Sequence, residues 1–129
     1  MNNFSRKLVI IIVVIITQSS LGTKAIQIIN DNLGQNGYVK YSNGLLMQWG
    51  YSSSSGRNKT IYLPTSFYDT NYSVLVTMKR TVDDTTNYTG DVWTQNISSF
   101  VLVPVATWGA DNYVYATEGM NWFAIGRWK

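Results

Sequence analysis

Apolar and polar residues alternate along most of the chain after residue 36, and a period of two is typical of β-strands. The clearest case is a hairpin over residues 37–51, in which the turn Ser-Asn-Gly at 42–44 separates two β-prone arms. Asn-Gly tolerates the positive φ angles of a tight primed turn. On the second arm Leu45, Met47 and Trp49 share one face, and this apolar face is predicted to lie in the core.

The same alternation predicts further strands over residues 57–63, 72–80, 91–94, 98–105 and 120–128. Polar stretches at 81–90 and 106–119 are predicted to connect them, and Pro104 indicates a strand end or a sheet edge. In the last strand Trp122 and Ala124 share one face. Short strands separated by turn signals predict an all-β fold, an antiparallel β-sandwich, preceded by a short apolar N-terminal segment.

Three segments follow from these patterns: a leader (1–25), a connector that fits a short helix or a strand (26–36), and the sandwich domain (37–129). The leader has Arg6 and Lys7 before an apolar run at 8–16, which is the layout of a secretory signal peptide. That run is too short for a membrane-spanning helix, which needs about 20 residues. Eight of its nine residues are Val or Ile, so a buried strand in an assembly is an open alternative.

Composition removes several classes of chemistry. Histidine and cysteine are absent, so the commonest general base, the thiol nucleophile, disulfides and the usual zinc ligands are missing. The net charge of +3 comes from Arg6, Lys7 and Lys24, because the rest of the chain has seven basic and seven acidic residues. A neutral domain has no electrostatic basis for binding nucleic acid.

Clustered carboxylates at Asp83, Asp84 and Asp91 could suggest a calcium site or a glycosidase pair. No EF-hand spacing is present, and a polar loop is the simpler interpretation. The sequence therefore predicts a protein that binds without catalysis and has no metal or cofactor.

Four aromatic residues are candidates for a binding surface. Trp108, Tyr113 and Tyr115 lie in the predicted 106–119 connection, and Trp93 lies close to the 81–90 loop. Aromatic side chains outside a strand must be buried by the same domain, by a partner or by a ligand, and aromatic faces anchor protein contacts and stack on sugars. Trp49, Trp122 and Phe123, which lie inside strands, are predicted to be core residues.

Three motifs resemble the C-terminal domain found on many bacteriophage tail fiber proteins. They are Asn-Gly-Tyr-x-Lys at 36–40, Gly-Leu-x-x-Gln-Trp-Gly at 44–50, and aromatic-Ala-Ile-Gly at 123–126. The resemblance covers roughly residues 36–129. It implies a homotrimeric fiber tip in the virion that adheres to a bacterial surface receptor, a glycan or a protein, and that contacts other tail proteins.

Two other interpretations stay open. One is a structural virion or assembly protein whose aromatic residues form subunit contacts and which has no receptor site. The other is a secreted bacterial β-sandwich adhesin, exported or held at the cell surface through the apolar segment at 1–25. The leader and the short length depart from a fiber tip at the end of a long chain, which favours a stand-alone version or a module docked on another virion protein.

Overall fold

Antiparallel strands make up most of the described chain, which in this computed structural model comprises residues 25–53, 56–81, 83–109 and 112–129. They are β1 (Ile28–Asn32), β2 (Gly37–Tyr41), β3 (Leu45–Ser52), β4 (Lys59–Tyr62), β5 (Ser73–Met78), β6 (Asn87–Asn96), β7 (Ser99–Trp108), β8 (Asn112–Tyr115) and β9 (Met120–Arg127). One sheet has the order β1-β2-β3-β9-β5, and in the other β7 pairs with β4, β6 and β8.

The prediction of an all-β antiparallel fold is confirmed for the described residues. The predicted leader lies outside them apart from its last residue, so both interpretations of residues 1–24 stay predictions. Within the described ranges, no helix is long and apolar enough to cross a membrane.

The predicted hairpin is present, with a different turn. Strands β2 and β3 pair from Gly37 opposite Trp49 to Lys40 opposite Leu46. Gly44 has a φ of 95°, whereas no described non-glycine residue has a positive φ, so Asn43 does not adopt the primed conformation. The Gly44 N–H donates to the Tyr41 carbonyl at 3.0 Å. This is the arrangement of a three-residue loop, in which one glycine takes the left-handed position.

The predicted core face of β3 is wrong. Leu46, Gln48 and Gly50 point into the sandwich, while Leu45, Met47 and Trp49 are half-buried on the outside. Alternation defines two faces but does not say which one meets the other sheet. The packing of Trp122 determines which face of β3 is buried. The Trp122 indole lies against Gly50, and a Cβ atom added to Gly50 would come 2.5 Å from the ring atom Cζ2.

The core between the sheets is built from both inner faces. Its buried members are Leu46, Ile61, Phe67, Tyr72, Phe100, Leu102, Met120, Trp122 and Ala124. Trp122 meets Phe100 edge-on with the ring centroids 5.7 Å apart. The prediction that Trp122 is a core residue is confirmed, and Ala124 lies buried on the same face. Trp49 and Phe123, also predicted as core residues, are half-buried outside the core.

A buried polar residue ties a loop to this core. Gln48 has no exposed surface, and its side-chain oxygen Oε1 accepts a hydrogen bond from the Thr65 N–H at 3.0 Å. The bond holds the segment after β4 against the five-stranded sheet.

Strands occupy two stretches that were predicted as loops, and a strand also occupies the 26–36 connector, where a short helix was the alternative. β1 lies in the 26–36 segment and pairs with β2, β6 begins at Asn87 within the predicted 81–90 loop, and β8 lies in the predicted 106–119 connection. Each is paired along one edge of a stronger strand. Tertiary pairing therefore imposes the extended conformation where the local pattern is weak.

Pro104 lies inside β7 rather than at its end, and it is fully buried. β4 pairs with residues 99–102 of β7 and β8 with residues 105–108, so these strands occupy the same edge of β7 in succession. The Pro104 carbonyl accepts a bond from the Ala116 N–H at 3.1 Å. The backbone nitrogen and carbonyl of a strand residue face the same side. The proline nitrogen therefore faces the gap between β4 and β8, where no neighbouring strand requires a backbone N–H donor.

Tyr72 is expected to make the protein less stable at alkaline pH. Its hydroxyl donates to the Asn96 carbonyl at 2.8 Å and lies 3.0 Å from the Ser99 carbonyl, and its ring stacks on Phe67. Burial raises the pKa of Tyr72. The folded state therefore holds the proton more tightly than the unfolded state, so this stabilisation is complete below about pH 10 and is lost as the pH rises through the folded pKa.

Tyr72→Phe should lower the free energy of unfolding by about 1–2 kcal/mol at neutral pH through the lost hydroxyl bonds. It should also reduce the further loss of stability above about pH 10. Urea unfolding at a series of pH values measures both effects, with the exposed Tyr62→Phe as the control. An alkaline profile identical to that of the original protein would exclude this role for Tyr72.

Candidate functional site

A shallow apolar cleft lies on the outer face of the sheet that contains β7. It has a volume of about 530 Å³ and is lined by Val103, Val105, Tyr113, Val114 and Tyr115. β8 pairs with β7 so that Tyr115 lies opposite Val105 and Tyr113 opposite Thr107. The odd-numbered residues of β7 face outward because Phe100, Leu102 and Ala106 enter the core. We name these five lining residues the tyrosine cleft.

The cleft combines an apolar floor with two accessible aromatic rings. Tyr113 is 76% exposed and Tyr115 is 48% exposed. At the far side of Tyr115, the residues Gly56, Arg57 and Asn58 border a second depression of about 600 Å³. Rings with polar edges, next to amide and guanidinium groups, can stack on the C–H face of a sugar or hold a flat protein surface.

Trp93 lies on the same outer face but does not line the cleft. The pairing of β6 with β7 shifts register between Val92 and Thr94, which leaves Trp93 as the additional residue of a β-bulge. Val92 packs towards the core, whereas Trp93 is 69% exposed. A bulge redirects a side chain, and here it places an indole in solvent.

Trp108 is separated from the two tyrosines. It continues the core-facing positions of β7 beyond the end of the sandwich and lines a small groove of about 190 Å³ with Tyr88, Val114 and Glu118 among others. The prediction grouped Trp108, Tyr113 and Tyr115 in one loop. In the structure all three lie in strands, and β7–β8 pairing sends Trp108 to the opposite face from Tyr113 and Tyr115.

Comparison with known families decides the identity of the fold. Residues 40–127 match the family model for the C-terminal region of gp53-like tail fiber proteins. The chain belongs to this tail fiber family. The match covers most of the sandwich and begins within β2, after β1. Tail fibers are virion components, and the family assignment confirms the resemblance that the three motifs indicated. Among curated proteins, no sequence matches.

Solved pyocin tail fibers have the same fold as this tail fiber domain. An N-truncated R2-type pyocin tail fiber superposes with a TM-score of 0.64 at 18% identity, over 85% of this chain and 41% of that one. An N-truncated R1-type fiber gives 0.59 at 19% identity, over 85% and 93%. A C-terminal fragment of the R2 fiber of P. aeruginosa gives 0.59 at 18%, over 76% and 25%. The chain thus spans less than half of the first of these fibers.

Asp84 stabilises the loop of the tail fiber domain in which it lies. Both Asp84 carboxylate oxygens accept hydrogen bonds from Thr86, from its N–H at 3.0 Å and from its hydroxyl at 2.9 Å. Burial and the nearby carboxylates of Glu118 and Asp84 raise the pKa of Tyr88. Among the described residues, no three His, Cys, Asp or Glu side chains are grouped as metal ligands would be.

A further groove is lined by residues that the sequence analysis did not propose as a binding site. It has a volume of about 670 Å³ at one end of the five-stranded sheet and is lined by Gln35, Trp49, Gly50, Tyr51, Lys79, Asn121 and Trp122. β9 brings Asn121 opposite both Tyr51 and Thr77. No local signal in the sequence marks this grouping, because it depends on β9 lying between β3 and β5.

Proposed function

We propose that this tail fiber domain forms a homotrimeric fiber tip that binds a bacterial surface receptor, in first place a glycan, through the tyrosine cleft. The exposed Tyr113 and Tyr115 over an apolar floor are the observation that supports this proposal. A two-layer sandwich usually presents polar residues on its outer faces, so exposed aromatics need another explanation. The proposed role is binding, with no chemical step.

The composition of the surface supports an adaptable binding site. Tyr and Trp give large contact areas at low entropic cost, and Asn, Ser and Thr offer hydrogen bonds. Trp93 extends this surface on the same face, and Trp108 offers a contact on the other side of β8. Tyr113 and Tyr115 are thus proposed as the central contacts, with Trp93 and Trp108 as peripheral ones.

Replacing both Tyr113 and Tyr115 with alanine should weaken binding to an immobilised array of purified bacterial polysaccharides and lipopolysaccharides at least about tenfold. Removing the two rings removes the stacking area but no core contact, so the fold should persist. Tyr62→Ala is the control, because Tyr62 lies in β4 of the same sheet and is about as exposed as Tyr113. Tyr113→Phe should retain most of the affinity if ring stacking dominates.

Equal binding by the double variant and by the control would exclude the cleft as the receptor site. Loss of the oligomer in the double variant, seen by light scattering against the 14.6 kDa of one chain, would instead favour a structural virion protein whose aromatic residues form subunit contacts. That second function draws support from the other sheet, where the outward-facing Met47, Trp49, Phe123 and Ile125 are apolar and half-buried in the single chain.

A further inference from the structure

Three polar residues with unpaired side chains line the groove at the end of the five-stranded sheet. Gln35 lies in the turn between β1 and β2, Asn121 lies in β9, and Lys79 directly follows β5. Within the described ranges, none of these three side chains forms a hydrogen bond or an ion pair. We name this groove of about 670 Å³ the Lys79 groove, and its lining is Gln35, Trp49, Gly50, Tyr51, Lys79, Asn121 and Trp122.

Strand pairing sets the width of the Lys79 groove. Tyr51 lies opposite Asn121 on β9, and Asn121 lies opposite Thr77 on β5. These three residues point outward, because the neighbouring Ser52 and Met120 are buried on the inner side. With strands about 4.8 Å apart, the row from Tyr51 to Thr77 is about 10 Å wide. The short Asn121 side chain therefore lies at the centre of a row that is wide enough for a sugar ring.

Two aromatic rings are held in fixed positions beside this row. The Trp49 indole N–H donates to the Gly34 carbonyl at 3.1 Å, and the ring lies over Gly37, where an added Cβ would come 2.6 Å from Cζ2. The Tyr51 ring lies over Gly119, where an added Cβ would overlap the tyrosine hydroxyl. Rings that are already fixed lose little freedom when a ligand binds, and their faces can pack on the C–H face of a sugar.

Lys79 is the one charged residue in the lining of the groove. Its backbone N–H donates to the Gly119 carbonyl at 2.8 Å, which fixes the start of the side chain. Glu118, the acidic residue next to Gly119, lines a different groove together with Tyr88. Among the described residues, no carboxylate lies within 4.0 Å of the Lys79 ammonium group. This ammonium group is therefore available to an anion from outside the domain.

We propose that the Lys79 groove binds an acidic saccharide, a sugar that carries a carboxylate or a phosphate. The two rings take the C–H face of the sugar, the amides of Gln35 and Asn121 bind its hydroxyls, and Lys79 binds its anionic group. An acidic peptide lacks the ring hydroxyls that the amides can bind, and nucleic acid requires several cationic contacts. The inference goes beyond the proposed function, because the tyrosine cleft lies on the other sheet and contains no charged residue.

Isothermal titration calorimetry on the full chain tests this proposal. The acidic probes are trigalacturonic acid, N-acetylneuraminic acid and a hexose phosphate, and their uncharged counterparts are the two methyl esters and the free hexose. At least one acidic probe should bind at least about tenfold more tightly than its counterpart. A preference for the carboxylates over the phosphate, or the reverse, supports the proposal and identifies the anionic group. Raising the salt concentration should weaken this preference.

Lys79→Met should reduce the preference for the acidic probe to less than about twofold, because it removes the charge and keeps an apolar side chain of similar length. Lys129→Met is the matched control. Lys129 is also exposed, but it lies beyond the opposite end of β9, so its loss changes the net charge equally and leaves the groove intact. This control should bind the acidic probe as the original protein does.

The outcomes separate this inference from the proposed function. Equal binding of every acidic probe and its counterpart overturns the inference, and so does an equal effect of Lys79→Met and Lys129→Met. Oligoglutamate that binds as tightly as the best saccharide overturns the saccharide class.

The double variant with alanine at Tyr113 and Tyr115 gives the remaining comparison. If this variant loses the acidic probe and Lys79→Met retains it, the inference is overturned and the tyrosine cleft stands. If the double variant binds the polysaccharide array unchanged while Lys79→Met loses the acidic probe, the proposed function is overturned and this inference stands.

Discussion

Trp122→Ala is expected to lower the free energy of unfolding by about 3–5 kcal/mol, the range for removing a large aromatic side chain from a core. Trp122 is 3% exposed, lies against Gly50 and meets Phe100 edge-on. Strand pairing holds the backbones of both sheets in place, so the space left by the indole should close only in part. Urea unfolding followed by far-UV circular dichroism measures the loss.

Trp93→Ala is the matched control for this change. It removes the same atoms from a ring that is 69% exposed on a bulge, so the free energy of unfolding should change by less than about 0.5 kcal/mol. If both variants lose the same stability, the assignment of Trp122 to the core and Trp93 to the surface is incorrect.

Gly50→Ala is the second change with a large expected effect. The new methyl group would meet the Asn36 side-chain oxygen Oδ1 and lie 2.5 Å from Trp122 Cζ2, a distance that real contacts do not reach. Asn36 Oδ1 also accepts a hydrogen bond from the Tyr51 N–H at 2.9 Å, which the displacement would break. We expect a loss of about 2–4 kcal/mol from overpacking together with the broken bond.

Gly34→Ala provides the comparison for Gly50→Ala in the same unfolding assay. At Gly34 the nearest atom to an added Cβ is Asn32 Oδ1 at 3.2 Å, on an exposed side chain whose main tie is the hydrogen bond that it accepts from the Gly34 N–H at 3.0 Å. Its stability should stay within about 1 kcal/mol of the original, because a glycine-to-alanine change also restricts the unfolded chain. A stable Gly50→Ala variant would contradict the close contact between Trp122 and the β3 backbone.

The motif at 44–50 acquires a physical meaning from these contacts. Gly44 supplies the left-handed turn, Gln48 holds the Thr65 backbone, and Gly50 makes room for the Trp122 ring. Trp49 of the same motif lies on the opposite face with its indole N–H bound to Gly34. The motif that marks the family in the sequence is therefore the point at which a turn, a loop and both faces of the sheet are joined.

The predicted strands were most accurate where apolar and polar residues alternate clearly in the sequence. The hairpin over 37–51, the strand around 73–78 and the terminal strand were predicted within a few residues, because each has a clear period of two and turn residues at its ends. The predictions were least accurate at β1, at β8 and at the start of β6, where the sequence is polar or irregular. These strands form because a stronger neighbour offers an edge.

The candidate site, too, could be predicted only in part from the sequence. Exposed aromatics at Trp93, Trp108, Tyr113 and Tyr115 could be selected from composition and position, but their arrangement could not. The antiparallel register of β7 with β8 brings Tyr113 and Tyr115 to one cleft and sends Trp108 to the other face. A single residue of shift would exchange the faces, and no local pattern in 106–119 specifies that register.

By itself, the sequence determined the fold class, the family and the absence of histidine and cysteine chemistry, because period, motif and composition are local properties of the chain. Tertiary structure alone decided which face of β3 is buried, where the aromatics meet and which surfaces remain apolar. In sequence the outer face of β3, with Leu45, Met47 and Trp49, is more apolar than the buried face, with Leu46, Gln48 and Gly50. The choice therefore depends on how the bulky Trp122 packs across from Phe100 and beside Gly50. Burial is a property of paired sheets, and the pairing partners lie many residues apart along the chain.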